Sequence, residues 1–532
     1  MRQRVISNLE CSPQKKTNRN QRILIWTIFS MLILILITRL LSLKHGMVLH
    51  PDEWVFFNSA SSLFPGSQYQ VYKTYPEGAF LLQMPFQMIR QLALRLIQFG
   101  GDVQKSGAHL VGRISSVVYF SFGAALGCTF LYLTQKKTLP ILCFAIIMTF
   151  SLFQIEQSRY STGEAPSFFL IMAILNVLVL YLRGNRFGLL CIAAFLAGIL
   201  GAVKYPQFYF VLLPVCAAIL NKRNGKTPPF IAALVVLLCS ALGFVCFSPS
   251  IFQPGFLSGI IARETDAYVV NPNLWSAGTP PEHFVSLLIY HMLYADFPLA
   301  PLFALFGIFT LFRQRGQDGS AVFLRMIPFI LLGFFLYNLF IPTLFFRTYY
   351  LYFCVCILYT CIGLSELLER KIWKQLIIAL LCIMVFRGGY FVGLLSQPQK
   401  DVGEPLVANP NWSEQAAVTV LGNAFVYGEI PGEVTRIDTN SAFLTQTPSL
   451  DAGEFCVTGP YQFAMARTLH GFVKNASAHS ITDGWNSFRD QNATFLFHKL
   501  YPDDYYILFG LWLEGNTGTP YEFPSVYFYY KP

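Results

Sequence analysis

Two adjacent carboxylates, Asp52 and Glu53, stand just after the first long apolar stretch, in the segment LHPDEW at residues 49–54. A carboxylate that is partly desolvated beside a membrane and offset by nearby cations can accept a proton from an attacking hydroxyl group. An isolated pair of this kind is more typical of a solvated loop, or of a helix that has Asp52 as its N-cap. The pair alone therefore leaves a general base and a structural role both open.

A second set of residues that could do chemistry is basic and stands at the ends of apolar stretches. A buried cation near the centre of a membrane helix costs about 2.5 to 3.5 kcal/mol, so it needs a partner or a wet cavity. One such side chain is more typical of an interface residue, but several together favour an anionic ligand such as a phosphate. The set consists of Arg113, Arg159, Lys204, Arg263, Arg347 and, in the first long loop, Lys73.

Residue types that bind metals also cluster between residues 248 and 297. The eight-residue spacing of the two histidines matches no common zinc pattern, which favours packed or interfacial histidines. A divalent cation held by Asp52 and Glu53 together with phosphate oxygens stays open as an alternative. The chain has no glycine-rich nucleotide loop, so no nucleotide cofactor is expected. The clustered residues are Glu282, His283, His291 and Asp296.

The composition indicates what kind of fold must position these residues. Of 532 residues, 54% are hydrophobic and only 12% are charged, whereas soluble domains carry roughly 25% charged residues. Apolar stretches of about 17 to 25 residues can cross the hydrocarbon core of a membrane. We expect an all-α polytopic membrane protein with about eleven transmembrane helices. They are predicted near residues 23–43, 109–133, 139–153, 167–182, 187–203, 207–220, 230–247, 298–312, 322–344, 349–364 and 375–395.

The distribution of charge predicts the orientation of these helices. If the basic segment 1–22 is cytoplasmic and the stretch after it is a retained signal anchor, every cytoplasmic turn is basic, as the positive-inside rule requires. Those turns are residues 135–137, 183–186, 221–226, 313–315 and 369–374. The loops 44–108, 154–166 and 248–297 then lie on the outer face. For a bacterial protein this membrane would be the plasma membrane.

The sequence divides into a basic tail at residues 1–22, a transmembrane region at 23–395 and a C-terminal region at 396–532. Within the first outer loop, residues 85–99 predict an amphipathic helix that lies flat on the membrane, as a platform for a lipid substrate or as a simple anchor. The C-terminal region alternates aromatic and polar residues between turns, which predicts a small extracytoplasmic α/β or α+β domain. Its predicted strands are residues 454–458, 505–513 and 525–530.

Six short motifs follow one another along residues 1 to about 395. In order they are His50-Pro51-Asp52-Glu53, Tyr75-Pro76, Ser158-Arg159-Tyr160, Ala202-Val203-Lys204-Tyr205, Ser248-Pro249 and Phe346-Arg347-Thr348-Tyr349. This order resembles the GT-C superfamily of glycosyltransferases. Within it, the chain is most similar to the protein O-mannosyltransferase and aminoarabinose-transferase-like group, which depends on phospholipid carriers. The first motif is also similar to that of eukaryotic mannosyltransferases that build glycolipid anchors.

The resemblance implies an inverting glycosyltransferase that takes a sugar from a polyprenyl or dolichyl phosphate on the outer face of the membrane. It implies that Asp52 is the general base and that Glu53 binds the acceptor or a metal. Glu77, where a second proline is usual, and Glu164, where related chains often have aspartate, depart from the family pattern. The basic residues that correspond to those near the donor phosphate are Arg159, Lys204, Arg347 and, more loosely, Lys73.

Two other classes of function remain as alternatives. A transporter or flippase of lipid-linked or anionic substrates would place ionisable residues near the bilayer midplane and would usually have related halves. A structural or sensory membrane protein would have no need for Asp52. The charges at helix ends and the acidic loop on one face favour the enzyme. Its expected partners are membrane lipids, the polyprenyl-phosphate-linked sugar and a protein, lipid or glycan acceptor, without nucleic acid.

Overall fold

A computed structural model describes residues 13–41, 43, 76–97, 108–221, 228–265, 296–314, 319–339 and 346–395, five residues between 284 and 292, and four strands near the C-terminus. The helices of these regions are α1 Pro13–Leu41, α2 Glu77–Leu96, α3 Ala108–Gln135, α4 Leu139–Phe150, α5 Leu152–Arg159, α6 Glu164–Gly184, α7 Phe187–Val203, α8 Leu212–Leu220, α9 Pro229–Cys246, α10 Phe256–Thr265, α11 Ala300–Arg313, α12 Gly319–Leu339, α13 Tyr350–Leu368 and α14 Lys371–Leu395.

Seven helices in the described part of the chain are long and apolar enough to cross a membrane, and α4 with α5 forms an eighth candidate that is sharply bent. The chain is therefore a multi-pass membrane protein. Three shorter apolar helices, at Phe187–Val203, Tyr205–Leu220 and Ala300–Arg313, have 10–17 residues each. The predicted number of about eleven transmembrane helices stays a prediction, because these short helices need not span the bilayer.

The helix predicted at residues 139–153 is shorter than expected. Helix α4 ends at Phe150, Ser151 has an extended backbone, and α5 continues at an angle of 63°. The Ser151 hydroxyl accepts a hydrogen bond from the backbone N–H of Gln154 at 3.2 Å, as an N-cap residue does. The loop predicted at residues 154–166 is therefore wrong for its first part, because α5 continues to Arg159. A count of apolar residues cannot register a single capping hydroxyl.

A second interruption lies at Lys204, between the stretches predicted at residues 187–203 and 207–220. Helix α7 ends at Val203, Lys204 is extended with φ −155°, and a 3₁₀-helix follows at Tyr205–Val211 before α8. Pro206 lacks the amide hydrogen that a continuing helix would need. The break takes Lys204 out of the regular helix and leaves it at the junction of two segments.

The core of the helical region lies around α6 and α13, whose side chains are buried on almost all sides. Helices α11 and α13 pack with their backbones in close contact. A Cβ atom on Gly307 would collide with the carbonyl oxygen of Tyr359, and a Cβ atom on Gly363 would collide with that of Phe303. Such contacts between small residues are typical of membrane helices, in which packing rather than the exclusion of water holds helices together.

Helix α2 is longer than the helix predicted at residues 85–99, and Pro85 lies inside it. Several of its polar side chains face the protein: Gln83 and Gln87 are fully buried, and Gln87 Nε2 donates to the carbonyl of Ala108 at 2.8 Å. Its exposed side is mostly apolar, with Met88, Ile89, Leu92 and Leu96, and also carries Arg95. The amphipathic helix is confirmed, whereas its position flat on the membrane stays a prediction.

Four strands are described in the C-terminal region: β1 Arg436–Thr439, β2 Glu454–Thr458, β3 Thr494–Lys499 and β4 Val526–Tyr530. They form one sheet in the order β1-β2-β4-β3, in which β1 and β2 are parallel and the other two pairs are antiparallel. The runs predicted at 454–458 and 525–530 coincide with β2 and β4, and the run at 505–513 lies outside the described residues. The class of this region stays a prediction.

Candidate functional site

The structure describes the side chains of two of the six predicted site residues. Arg159 is the last residue of α5, and Lys204 follows α7. Arg347 lies in a 3₁₀-helix at Phe346–Tyr349, but its side chain is outside the described part. Asp52, Glu53 and Lys73 also lie outside it, so their roles stay predictions.

Two buried arginines meet at one aromatic ring. The Cζ atom of Arg159 lies 5.2 Å from the ring centre of Tyr160, and that of Arg113 lies 5.7 Å from it. Arg159 also donates a hydrogen bond to the Tyr160 hydroxyl at 3.3 Å. Both arginines are almost completely buried, with exposed fractions of 3% for Arg159 and 2% for Arg113. We call these three residues the arginine corner.

Three separate parts of the chain build the arginine corner. Arg159 stands in the last turn of α5, where the helix dipole favours a cation. Arg113 comes from the N-terminal part of α3 and donates to the carbonyl of Leu43 at 3.0 Å. Ser161, immediately after the corner, donates to Gln83 on α2 at 2.9 Å. The corner therefore lies where α2, α3 and the connection from α5 to α6 meet.

Lys204 and Glu164 form an ion pair, and Glu164 follows Tyr160 of the arginine corner by four residues in the sequence. Lys204 Nζ is 3.0 Å from Glu164 Oε1 at the start of α6. Glu164 is buried, whereas 22% of the Lys204 side chain is exposed. Gly163 brings the two segments together, because a Cβ atom there would lie only 3.3 Å from the side chain of Val203. The cation predicted to bind phosphate is therefore held by a carboxylate.

A buried carboxylate at the start of α2 completes the group of charged side chains. Glu77 accepts hydrogen bonds from the backbone N–H of Ser250 at 3.0 Å and from the Ser250 hydroxyl. The next residue, Gly78, packs directly on α7, since a Cβ atom there would lie 2.7 Å from the carbonyl carbon of Ala202. Glu77 thus has a structural role: it binds Ser250, the residue after the Ser248-Pro249 motif, to the start of α2.

The described members of the predicted metal-ligand cluster are His291 and Asp296. His291 is buried edge-on against the ring of Phe353 at 4.7 Å, and burial lowers its pKa to about 3. Burial raises the pKa of Asp296 to about 6, although hydrogen bonds from Gln154 and Ser151 and the charge of Arg387 act in the opposite direction. The described residues contain no group of three side chains that could hold a metal ion. His291 is a packed core histidine.

Sequence reasoning missed the structural role of Tyr160, Ser250 and Arg39. Arg113 and Tyr160 are 47 positions apart in the sequence, and the periodicity of apolar residues does not predict a contact between such distant residues. Arg39 did carry a signal, because it interrupts the first apolar stretch and a charged residue within a membrane helix requires a partner. That partner lies in α4 and α5, at the break in the bent helix.

No protein-family model and no curated protein matches the chain. The solved structures that are similar to it in fold include two oligosaccharyltransferases. One is the archaeal oligosaccharyltransferase AglB from Archaeoglobus fulgidus in complex with an inhibitory peptide and a dolichol-phosphate, at 10% identity and a TM-score of 0.43. The other is an oligosaccharyltransferase from Archaeoglobus fulgidus in complex with Zn and sulfate, at 12% identity and a TM-score of 0.42.

The matches cover 78% and 77% of this chain but only 62% and 59% of the two neighbours, so the chain spans about three fifths of their length. Similarity at this level concerns the arrangement of helices. One fold can carry many activities, and the residues of the site must decide between them.

Proposed function

We propose that the chain is an inverting glycosyltransferase that moves a sugar from a polyprenyl-phosphate carrier to an acceptor on the outer face of the membrane. The observation that carries this proposal is the arginine corner, in which two buried guanidinium groups converge on Tyr160. Two cations in one buried place attract an anionic group, and arginine presents a geometry that suits phosphate. A lipid-linked phosphate is an anion that reaches such a place from the membrane.

The charge of the corner suits the chemistry of glycosyl transfer. When an acceptor hydroxyl attacks the anomeric carbon, the bond from that carbon to the phosphate oxygen breaks and negative charge grows on the departing phosphate. Fixed cations stabilise this charge more in the transition state than in the ground state, which is the condition for catalysis. The planar fork of arginine also matches two phosphate oxygens at once.

The roles of the other charged residues follow from the same reaction. We assign Lys204 to the donor phosphate, since its side chain is partly exposed while Glu164 holds its position. Asp52 acts as the general base that takes the proton of the acceptor hydroxyl, and Glu53 binds the acceptor or a metal. Arg347 and Lys73 bind the donor phosphate as further cations. These last four assignments rest on the sequence motifs.

A transporter or flippase for lipid-linked anions is the second candidate. Its substrate would also be attracted by Arg113 and Arg159, so binding of the carrier cannot separate the two functions. Transfer can, because only an enzyme converts the sugar-loaded carrier to free polyprenyl phosphate. The positions of the charges, at helix ends rather than within the apolar spans, support the enzyme.

The test uses the purified full-length chain in lipid nanodiscs with polyprenyl-phosphate mannose as the donor, and it measures the release of polyprenyl phosphate. The substitution Arg159→Ala should lower the release about 100-fold, and Arg159→Lys should restore part of it, because a point charge replaces a two-point fork. Arg325→Ala is the matched control, since this arginine binds the carbonyl of Leu311 in another part of the fold. Equal release by all variants would contradict the proposal.

A donor that carries the wrong sugar would give no release even from the unsubstituted chain. Binding of undecaprenyl phosphate, which lacks a sugar, is therefore measured in parallel. Arg159→Ala should weaken this binding about tenfold, as expected for the loss of a charge-assisted hydrogen bond of about 1.5 kcal/mol. Unchanged binding would leave the arginine corner without its proposed ligand.

A further inference from the structure

The break between α4 and α5 leaves backbone groups that need partners. In a continuous helix the carbonyls of Met148 and Thr149 would accept hydrogen bonds from residues 152 and 153. The extended backbone of Ser151 interrupts this pattern. Arg39, on α1, supplies the missing donors: Nη2 donates to the carbonyl of Met148 at 2.8 Å, and Nη1 donates to that of Thr149. An arginine from a distant helix thus satisfies the broken end of α4.

The same guanidinium group also contacts the far end of α5. Arg39 Nε donates to the Ser158 hydroxyl at 3.0 Å, one residue before Arg159. The Ser158 hydroxyl in turn donates to the carbonyl of Ile155 at 3.1 Å. Arg39 is fully buried, and its Cζ atom lies 5.2 Å from the ring centre of Phe120. One side chain therefore joins the end of α4 to the last turn of α5.

A buried carboxylate holds the first turn of α5 in place. Asp296 Oδ1 accepts hydrogen bonds from the Ser151 hydroxyl at 3.0 Å and from Gln154 Nε2 at 2.9 Å. The Ser151 hydroxyl simultaneously accepts from the backbone N–H of Gln154. Asp296 is fully buried just before α11, 145 residues away from Ser151 in the sequence. The side chains of Ser151, the N-cap, and of Gln154, in the first turn of α5, are thus both bound to the carboxylate of Asp296.

We propose that Arg39 and Asp296 are positioning residues that fix the bend at Ser151 and thereby aim Arg159 at the donor phosphate. This inference rests on the proposed function. Helix α5 has eight residues and is therefore about 12 Å long, so a change of 10° at the bend moves its last turn by about 2 Å. A displacement of about 1 Å in a catalytic group can lower a rate about 100-fold. The orientation of a short helix on a bend thus requires a fixed support.

Arg39 and Asp296 act at different points of the bend. Arg39 contacts the end of α4 and Ser158, whereas Asp296 contacts Ser151 and Gln154. Burying charged groups costs free energy that an apolar pair of similar volume would not require. Charged and bidentate hydrogen bonds have a narrow range of geometry, so they specify an angle more sharply than apolar packing does. This specificity is the physical use of two buried charges at one bend.

The test is a double-mutant cycle on binding of undecaprenyl phosphate to the full-length chain in nanodiscs. Ser151→Ala removes the hydroxyl that joins Asp296 to the N-cap, and we expect about tenfold weaker binding. Ser151→Thr keeps a capping hydroxyl and should bind within about twofold of the unsubstituted chain. In the Arg159→Ala background, Ser151→Ala should cause no further loss, because it acts through Arg159. Ser121→Ala, which removes a buried hydroxyl on α3, is the matched control.

The outcomes separate the two proposals. If Arg159→Ala binds the carrier normally, the proposed function is wrong. If Arg159→Ala weakens binding but Ser151→Ala does not, or if the two losses add, the positioning role is wrong and the hydrogen bonds serve stability alone. Asp296→Leu should resemble Ser151→Ala in the same cycle, and Asp296→Asn, which keeps an acceptor oxygen, should restore part of the affinity. Should Asp296→Leu fail to fold, Gln154→Leu removes the second hydrogen bond to the carboxylate and takes its place.

Discussion

Tyr160 offers the sharpest test of the arginine corner, because its ring and its hydroxyl can be removed separately. Tyr160→Phe removes the acceptor of the 3.3 Å hydrogen bond from Arg159 and keeps the ring. This bond is long, so its loss should cost about 0.5 to 1.5 kcal/mol, or about 2- to 10-fold in affinity for polyprenyl phosphate. Tyr160→Leu removes the ring as well, and both arginines lose their aromatic contact.

The expected effect of Tyr160→Leu follows from the two ring distances, 5.2 and 5.7 Å, which both lie within the range of cation–π attraction. Each contact is worth about 1 to 2 kcal/mol when it is shielded from water. The two contacts together amount to about 2 to 4 kcal/mol of stabilisation of the two side chains in the folded chain. Without them neither guanidinium group is oriented, so affinity should fall by up to about 100-fold, the product of a loss of about tenfold for each arginine. The loss exceeds that of Tyr160→Phe because the ring orients two cations, whereas the hydroxyl contacts one.

The assay is the titration of the purified chain in nanodiscs with undecaprenyl phosphate, at two salt concentrations. Tyr209→Leu is the control, because the Tyr209 ring packs on Phe210 and Phe334 and contacts neither arginine of the corner. It should leave affinity within about twofold of the unsubstituted chain. If Tyr160→Leu binds as well as Tyr160→Phe, the ring does not organise the two cations and the reasoning from distances fails.

Three other predictions follow from the sequence and the structure. Asp52→Asn should still bind the donor, but its rate of sugar transfer should fall about 100- to 10,000-fold, and Glu53→Gln should lower the rate less. Transfer by Asp52→Asn at the rate of the unsubstituted chain would show that the two carboxylates are solvated loop residues. Gly307→Val should lower the free energy of unfolding by about 1 to 3 kcal/mol, because the larger side chain forces α11 away from α13. Gly389→Val should leave it unchanged, because a Cβ atom at residue 389 meets nothing within 4 Å. The pKa of Asp296 is raised to about 6 by burial, from an ordinary value of 3.8, so the folded chain binds the proton more tightly than the unfolded chain. Stability from this group is therefore full below about pH 4 and is lost by up to about 3 kcal/mol as the pH rises through 6, a slope that Asp296→Asn should flatten in thermal unfolding.

The sequence predicts most of the helical segments, because a long apolar stretch has few alternatives in a membrane. It also places a break at Lys204, two residues before Pro206. It fails at residues 150–152, where α4 and α5 meet, because the stretch is apolar on both sides and the bend depends on the cap at Ser151 and on partners far away in the chain. Local sequence patterns show which residues are apolar. They do not show that a separate helix, α1, stabilises the bend between α4 and α5.

Some residues of the candidate site could likewise be predicted from the sequence, and others could not. The motif Ser158-Arg159-Tyr160 and the residue Lys204 stand out in the sequence, since charges at the ends of apolar stretches are conspicuous. The residues that lie around them in the folded chain do not stand out in the sequence. Ser250 binds Glu77 across 173 residues, and only a folded chain brings them together. The pairing of Lys204 with Glu164 likewise changes the interpretation of Lys204 from a simple cation to one held by a carboxylate.

Three of the buried arginines in the described part of the chain differ in what they contact. Arg39 directs its donors to two backbone carbonyls and the hydroxyls of Thr38 and Ser158, so its charge is committed to the bend between α4 and α5. Arg113 and Arg159 instead both lie near the ring of Tyr160, and each also donates a hydrogen bond, Arg113 to the carbonyl of Leu43 and Arg159 to the Tyr160 hydroxyl. The fork geometry of a guanidinium group matches the oxygens of a phosphate. The same residue type therefore supports the bend in one place and, in our proposal, binds the lipid-linked phosphate in the other.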